Sequence, residues 1–491
     1  MSQSLNLAAI DLGAESGRVM LAALDGRTLR LEEIYRFPNV PVRVLGSLHW
    51  DPLRLFAEIK HGLGLCAKRA GHTLSGIGID TWGVDFALLG RDDELVGNPF
   101  HYRDRRTEGM MEQAFQRASR EEIFERTGIQ FMPINSLYML LSMAGTPALE
   151  AATTFLMIPD LFNFWLSGQK ACEFTDATTT QLFDQGAGDW AWPLMEKLGL
   201  PGRIFLPVTQ PGAVLGSILP SVAEEVGLQS APIIAPACHD TGSAVAAVPA
   251  QARDYVYISS GTWSTVGVEV GAPIITPQSL KYNFTNEGGV SGTVRLLKNV
   301  MGLWVVQECR RAWAQAGEEF TYAELVALAE KAAPFAALVD PDDEEFLRPG
   351  DMPTRLRNFC AKTGQPAPED KGALLRCVFE SLALKYRVVI DCIEAMLGRR
   401  MEIIHIVGGG SQNRLLCQLT ADATGRWVVA GPVEATALGN VAAQAMALGQ
   451  FASLAEAREV VRNSSELITY EPHPSARWDE VYTRFTRLLP A

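Results

Sequence analysis

Three consecutive side chains, His239, Asp240 and Thr241, stand where an apolar run gives way to small residues, in the stretch IIAPACHDTGSAVAAV at 233–248. Ile233-Ile234-Ala235-Pro236 suits the end of a buried strand, and the run after Thr241 suits a helix. A carboxylate at such a boundary, between an imidazole and a hydroxyl, is placed to take up or deliver a proton. The same Asp could simply cap the helix behind it, and this stretch alone favours the cap. The balance shifts only in the company of other polar clusters.

The first of these is the turn Asp11–Arg18, between two apolar runs that fit a β-hairpin ending near Leu24. Its backbone N–H groups, from Gly13 through Ala14, Glu15 and Ser16 to Gly17, form the kind of nest that cradles phosphate. Asp11 could hold a hydrated Mg²⁺ through water. The pattern GxxxxGK[ST] is missing and no helix follows, so this is neither a Walker loop nor a dinucleotide fingerprint. A second hairpin pattern spans Asp254–Val270, with the turn Ser259-Ser260-Gly261-Thr262-Trp263-Ser264. Two such turns about 250 residues apart suggest a duplicated architecture.

Trp82 and Gly83 follow a strand-like GIGID and could form a platform for a sugar, with Gly admitting ligand to the backbone; a core Trp is the alternative. His101–Thr107 reads as a solvated ion-pair turn or as part of a polyol pocket. Phe174–Thr180 reads as a hydroxyl-rich loop, and Asn283–Gly289 as a turn-rich one. On a helix through 297–308, with Leu297, Met301, Trp304 and Val305 as its apolar stripe, Asn299 and Gln307 would lie about 80° apart and could face one site. Gly408-Gly409-Gly410 closes a buried strand containing His405 and opens a helix from Arg414. A strand-to-helix turn rarely needs three glycines, so a flat ring resting on backbone is the preferred reading.

These clusters need elements to hold them. Residues 29–37 read as a third strand, and Asp51-Pro52 as the cap and first residue of a helix. Residues 108–200 are mostly helical in pattern, 371–397 a long core helix, and 340–345 a solvated acidic loop. A chain of 491 residues exceeds one hydrophobic core, so at least two domains are expected. A net charge of −13 argues against nucleic acid as a partner. It also requires any bound phosphate to be held locally by backbone N–H groups and metal. No long uncharged apolar run and no secretory pattern is seen, so no membrane association and a cytoplasmic location are expected. Eight scattered cysteines form no CxxC pair and are expected to stay reduced, although Cys360 and Cys377 could close a small loop.

Taken in order, seven motifs resemble the FGGY carbohydrate kinases of the actin/hexokinase/Hsp70 ATPase superfamily. They are IDTWGVDFALL at 79–89, YRDRRT at 102–107, HDTGSAV at 239–245, SSGTWS at 259–264, TNEGG at 285–289, LKNVMGLWVVQ at 297–307 and HIVGGGSQN at 405–413. The narrower likeness is to members that phosphorylate L-rhamnulose. The name-giving C-terminal pattern, here GPVEATALGN, adds little. The resemblance implies an α/β fold of two RNase-H-like, actin-like ATPase domains flanking a deep catalytic cleft. A sugar-binding N-terminal domain with the first phosphate hairpin would span 1–247 and a nucleotide-binding domain 248–450. Residues 451–491 would be helices and a tail packing back on the N-terminal domain. It implies ATP and Mg²⁺ as cofactors and transfer of the γ-phosphoryl group to O1 of the ketose, as monomer or homodimer. Asp240 matches the proton acceptor. Trp82, Gly83, His239, Asp240, Thr241 and Asn299 fall at the sugar, and Ala14, Glu15, Ser16, Gly17, Arg18, Thr262, Gln307 and Gly409 at ATP. The alternatives are a family member acting on L-fuculose, a xylulose, a ribulose or glycerol, and, from a different class, an actin-like regulatory ATPase.

Overall fold

Strand pairing begins with the N-terminal hairpin. In the computed structural model, which describes residues 5–252, 254–473 and 475–490, the strands Leu5–Leu12 and Ser16–Leu24 pair antiparallel. The first four residues of the chain lie outside the described residues. Both strands are buried along most of their length, which explains their near-continuous apolar runs.

The chain forms two units. The first comprises Met1–Pro249, Glu269–Leu296 and Ala435–Ser464, and the second Ala250–Val268, Leu297–Glu434 and Ser465–Ala491. In the first unit the strands run Leu29–Pro38, Ser16–Leu24, Leu5–Leu12, Gly76–Thr81, Pro232–Ile234, Val214–Ser217 across the sheet. Leu5–Leu12, Gly76–Thr81 and Pro232–Ile234 are mutually parallel. The second sheet runs Thr285–Gly288, Val294–Met301, Trp263–Val270, Tyr255–Ser260, Ile403–Val407, Trp427–Ala430, Ile468–Tyr470, one strand more than the first. There the hairpin strand Tyr255–Ser260 lies parallel to Ile403–Val407, which lies parallel to Trp427–Ala430. Both sheets are therefore a hairpin extended by parallel strands and closed by an antiparallel edge. The duplication expected from the two turns is present as topology, and the fold is α/β with two sheet-containing domains.

Local chemistry sets the helix ends. Asp51 caps Pro52–Arg69 by accepting from the Arg54 backbone N–H at 3.1 Å, with Pro52 at the first turn. Asp370 caps the 27-residue helix Lys371–Leu397, which ends in a left-handed Gly398. The helix Ala435–Ala447 packs on Asp240–Ala246 so closely that a Cβ built on Gly439 would stand 1.7 Å from the Ser243 carbonyl oxygen.

Several expectations need correcting. Residues 294–301 form a strand, and the helix starts only at Trp304. Asn299 and Gln307 therefore share no helix face. Leu296, Leu297, Val300 and Met301 are all buried, and a short run buried on both sides has no period that separates strand from helix. The supposed turn-rich loop contains the fully buried strand Thr285–Gly288. Phe174–Thr180 is a helical turn and a 3₁₀ turn whose threonine hydroxyls are spent on nearby carbonyls. His101, Tyr102, Arg103 and Asp104 are buried rather than solvated. The acidic stretch 340–345 is not simply solvated: Asp340 is buried, and Lys385 reaches Asp340 at 2.8 Å and Asp342 at 2.9 Å. The tail adds an edge strand at Ile468–Tyr470. Cys360 and Cys377 are both free thiols, buried and in hydrogen-bond contact. Among the described residues, no helix is long and apolar enough to cross a membrane.

Gly439→Ala is expected to lower stability by about 1–3 kcal/mol or more, as overpacking does. Denaturant unfolding measures it, and an unchanged midpoint would show that the two helices part easily.

Candidate active site

Three parallel strands of the first unit end side by side. Asp11 and Asp80 are register partners on adjacent strands, and the third strand is prolonged by a bridge between His239 and Thr81. Thr81 N–H donates to the Cys238 carbonyl at 2.8 Å, and Trp82 N–H to that of Leu12 at 3.1 Å. The polar residues following each strand therefore emerge together, at the carboxyl ends where α/β sheets place their ligands.

Asp240 is the first residue of the helix Asp240–Ala246, with His239 as its N-cap. The Thr241 hydroxyl donates to Asp240 Oδ1 at 3.1 Å, and His239 Nε2 lies 3.5 Å from the same oxygen. The side chain keeps 28% of its surface open. Burial pushes its carboxyl above the usual Asp range; the His239 ring opposes the rise and the charge of Asp11 adds to it.

Further carboxylates crowd the same end of the sheet. Asp11 is paired with Arg18 at 2.9 Å. Asp80, fully buried, accepts from Asn440 Nδ2 at 2.6 Å, while its Oδ1 has no hydrogen-bond partner. Burial, then the charge of Asp11, holds the Asp80 carboxyl well above its ordinary value, and Asp240 adds to this. Behind them, Asp160, Glu173 and Asp176 are buried together; burial is the main cause that raises all three, Glu173 to about 7. Glu173 Oε2 gathers the Thr175 N–H and hydroxyl and the Cys238 N–H, which ties this acid to the residue preceding His239.

Beneath His239 lies a second buried group. Arg295 Nη2 approaches His239 Nδ1 at 3.2 Å, Glu287 Oε2 lies 3.3 Å from that nitrogen, and Arg295 and Glu287 pair at 3.2 Å. Arg295 is wholly buried and also donates through Nε to the Gly288 carbonyl at 2.7 Å.

Trp82 is only 5% exposed, and its indole N–H donates to Asp85 Oδ2 at 2.9 Å. The same oxygen accepts from Trp50 Nε1 at 2.6 Å, and burial raises Asp85 to about 7. Trp50 packs between Trp82 and His101 at 4.2 and 4.3 Å, and burial drives the His101 ring down to about 3. Trp82 thus sits in an aromatic stack as a core side chain would. Gly83 beside it faces Thr179 and Asp176, which a Cβ would meet at 3.1–3.3 Å.

The turn Gly13–Ser16 is held shut by the Gly13 N–H to Ser16 carbonyl bond at 3.0 Å and anchored by Asn39, which bonds the backbone of Gly13 and Glu15. Gly17 and Arg18 are already on the second strand.

In the second unit, Thr262 sits in the hairpin turn. The Leu303 and Trp304 N–H groups donate to Gly261 and Thr262 at 3.0 and 3.1 Å, bringing the first turn of Gln307's helix to it. Gln307 Oε1 is buried without a hydrogen-bond partner. The three glycines divide their labour. A Cβ on Gly408 would stand 3.1 Å from the Ser260 carbonyl oxygen and one on Gly410 2.0 Å from its Oγ, whereas Gly409 faces open space. Packing demands two of them, and Gly409 is where a ligand can approach backbone. Thr262, Gln307 and Gly409 gather at one end of this sheet; Asn299 is on the strand Val294–Met301.

Among the described residues no group of three or more His, Cys, Asp or Glu is arranged to hold a metal. Asp11, almost fully buried against Arg18, fits a hydrated cation through water better than direct ligation, and the unpartnered Asp80 Oδ1 fits positive charge nearby. Sequence reasoning missed Asp80, Asn440, Asp176, Glu287 and Arg295 as neighbours. An Arg inside the apolar run Val294–Leu297 was the available sign of a buried charge needing a partner.

Residues 7–247 match the N-terminal domain of the FGGY family of carbohydrate kinases, and residues 256–448 its C-terminal domain. The chain is 46% identical to the Rhamnulokinase of Bacteroides thetaiotaomicron, over 98% of both chains. It is 43% identical to that of Oceanobacillus iheyensis, over 95% of this chain and 98% of the relative, and 42% to that of Pectobacterium carotovorum, over 98% and 96%. Among solved structures, ligand-bound xylulose kinase from Lactobacillus acidophilus superposes with a TM-score of 0.81 at 18% identity, covering 98% and 97% of the two chains. Plasmodium falciparum glycerol kinase with ADP gives 0.78 at 14%, covering 99% of each. The structural matches carry the fold, the sequence matches carry the lineage, and together they identify the chain as a member of the FGGY family of carbohydrate kinases.

Proposed function

We propose that this chain transfers the γ-phosphoryl group of ATP to O1 of L-rhamnulose in the cytoplasm, as a step of L-rhamnose breakdown, with Asp240 as the general base. The observation that carries the substrate is the likeness to curated rhamnulokinases over 98% of the chain. What supports Asp240 is its place at the carboxyl ends of three strands, with part of its surface open.

On this reading the ketose lies over Gly83, beside His239 and Thr241, with the Trp82 stack forming the wall behind Gly83; Asn299 is a sugar contact by the family resemblance alone. Asp240 takes the proton of the O1 hydroxyl as that oxygen forms its bond to the γ-phosphorus. The bond from phosphorus to the bridging oxygen breaks, and ADP leaves with the electron pair. Phosphoryl transfer asks chiefly for positioning and charge neutralisation. The Ala14–Arg18 turn, Thr262, Gln307 and Gly409 would hold the nucleotide. When bound, Mg²⁺ supplies the remaining neutralisation of phosphate charge, and Asp11 would reach it through water. Residues 1–247 would carry the sugar side and 248–450 the nucleotide side.

The raised Asp240 carboxyl suits a base, since its conjugate acid lies closer to neutrality than a free Asp. A base must be ionised, so turnover should fall as pH drops. The midpoint of that limb should lie above the ordinary Asp value of about 4. A limb at or below that value would mean that burial does not act on the working enzyme.

Asp240→Asn should keep sugar binding, measured by calorimetry, and lose about 10²–10⁴-fold in kcat. Near-normal turnover would remove Asp240 from the role. In a coupled assay with ATP, L-rhamnulose should exceed L-fuculose, xylulose, ribulose and glycerol by at least about 10-fold in kcat/KM. A better rate with another acceptor would reassign the substrate. ATP turnover indifferent to every acceptor would favour a regulatory ATPase.

A further inference from the structure

The buried Arg295–Glu287 pair has no part in binding or transfer as described above, yet it touches the ring that touches Asp240. An arginine N–H can only donate a hydrogen bond. The Arg295 Nη2–H is aimed at His239 Nδ1 at 3.2 Å, and Glu287 Oε2 lies 3.3 Å from the same nitrogen as an ion-pair neighbour. With Nδ1 accepting from the guanidinium, the ring proton of neutral His239 is on Nε2, the nitrogen 3.5 Å from Asp240 Oδ1. Glu287 Oε2, 3.2 Å from Arg295 Nη2, balances the guanidinium charge in a place where an unpaired cation would be costly. The ring is also pinned from behind. The His239 backbone N–H donates to Thr175 Oγ1 at 3.1 Å.

We infer that Arg295, neutralised by Glu287, is a positioning residue that fixes the tautomer of His239, so that Nε2–H occupies Asp240 Oδ1 and directs the carboxylate's other oxygen to the incoming hydroxyl. The Thr241 hydroxyl donates to the same Oδ1 at 3.1 Å, and His239 Nε2 lies 3.5 Å from it. With the opposite tautomer, a lone pair would face the carboxylate and Asp240 would lose a donor that favours its ionised form. The inference rests on the reading of Asp240 as base, but its structural half is separable from it.

Two measurements test it on the full-length protein. Histidine ring ¹⁵N spectra, with the His239 signals assigned by their loss in His239→Asn, should show the Nε2–H form in the wild type and a mixture or the Nδ1–H form in Arg295→Gln. The second is the acidic limb of kcat. Groups facing Asp240 are His239 and Thr241 beside it and Asp11, Asp80 and Asp176 around it. None of these changes in the variant, but Arg295→Gln also removes the cation that balances Glu287, which raises the limb by itself. The neutral pair Arg295→Gln/Glu287→Gln, which keeps the net charge of the pair, separates the lost donor from that effect. Arg295→Gln should move the limb to higher pH and lower kcat on the order of 10-fold or more, with KM for ATP unchanged. Arg295→Lys, which retains a charged donor, should restore part of both. Should Arg295→Gln fail to fold for want of a partner for Glu287, the neutral pair Arg295→Gln/Glu287→Gln gives the same readouts. An Nδ1–H tautomer in the wild type overturns the inference, as does an unmoved limb in the Arg295 variants. If the tautomer follows Arg295 while Asp240→Asn retains turnover, the lock stands and the base assignment falls.

Discussion

Like charges collected in one place are the constraint on which this structure turns. Parallel strands that end in register deliver Asp11, Asp80 and Asp240 to one end of a sheet, where burial and mutual repulsion raise the carboxyls of Asp80 and Asp240. The fold tolerates this because each acid has a neighbour that offsets it. Arg18 faces Asp11, Asn440 donates to Asp80, and His239 and Thr241 attend Asp240. Asn440 comes from a helix near the far end of the sequence, and Gln444 on the next turn donates to the Ala8 carbonyl of the first strand. The late helix thus completes the early sheet. The residual negative potential is what an enzyme of this family can set against a cationic cofactor, and it agrees with holding phosphate by local backbone groups rather than by a positive field.

The same strand order, used twice, serves two purposes. In the first unit the sheet ends present acids and a small-residue helix start, which suits proton chemistry on a hydroxyl. In the second, the corresponding ends present a Thr, an amide with an unpartnered oxygen and an open glycine, which suits a neutral nucleotide surface. The residues just beyond each strand differ, while the strand arrangement of the two sheets is alike.

Much of this was legible in the sequence wherever the signal was local. Asp51-Pro52, the hairpin at Leu5–Leu24 and the helix Lys371–Leu397 each carry their own caps or period, and all three formed as read. What failed was what depends on distant partners. Val294–Met301 looks helical because its apolar residues are buried on both faces of a sheet that sequence does not display. Thr285–Gly288 looks like a turn because Asn, Glu and Gly are turn residues unless a sheet buries them. Asp340 looks solvated until Lys385, 45 residues on, arrives beside it. Arg295 reads as an interruption until Glu287 and His239 are placed around it. The Asp240 motif was legible as a pattern, but its neighbours were not.

The account stands or falls on where an acceptor hydroxyl sits when sugar and nucleotide are bound together. A crystal structure of the chain with L-rhamnulose and a non-hydrolysable ATP analogue would locate it. The account predicts O1 of the ketose within about 3 Å of an Asp240 carboxylate oxygen, with the γ-phosphate on its opposite side. A ketose whose O1 points away from Asp240, with another acid or only water at hydrogen-bond distance, would contradict it.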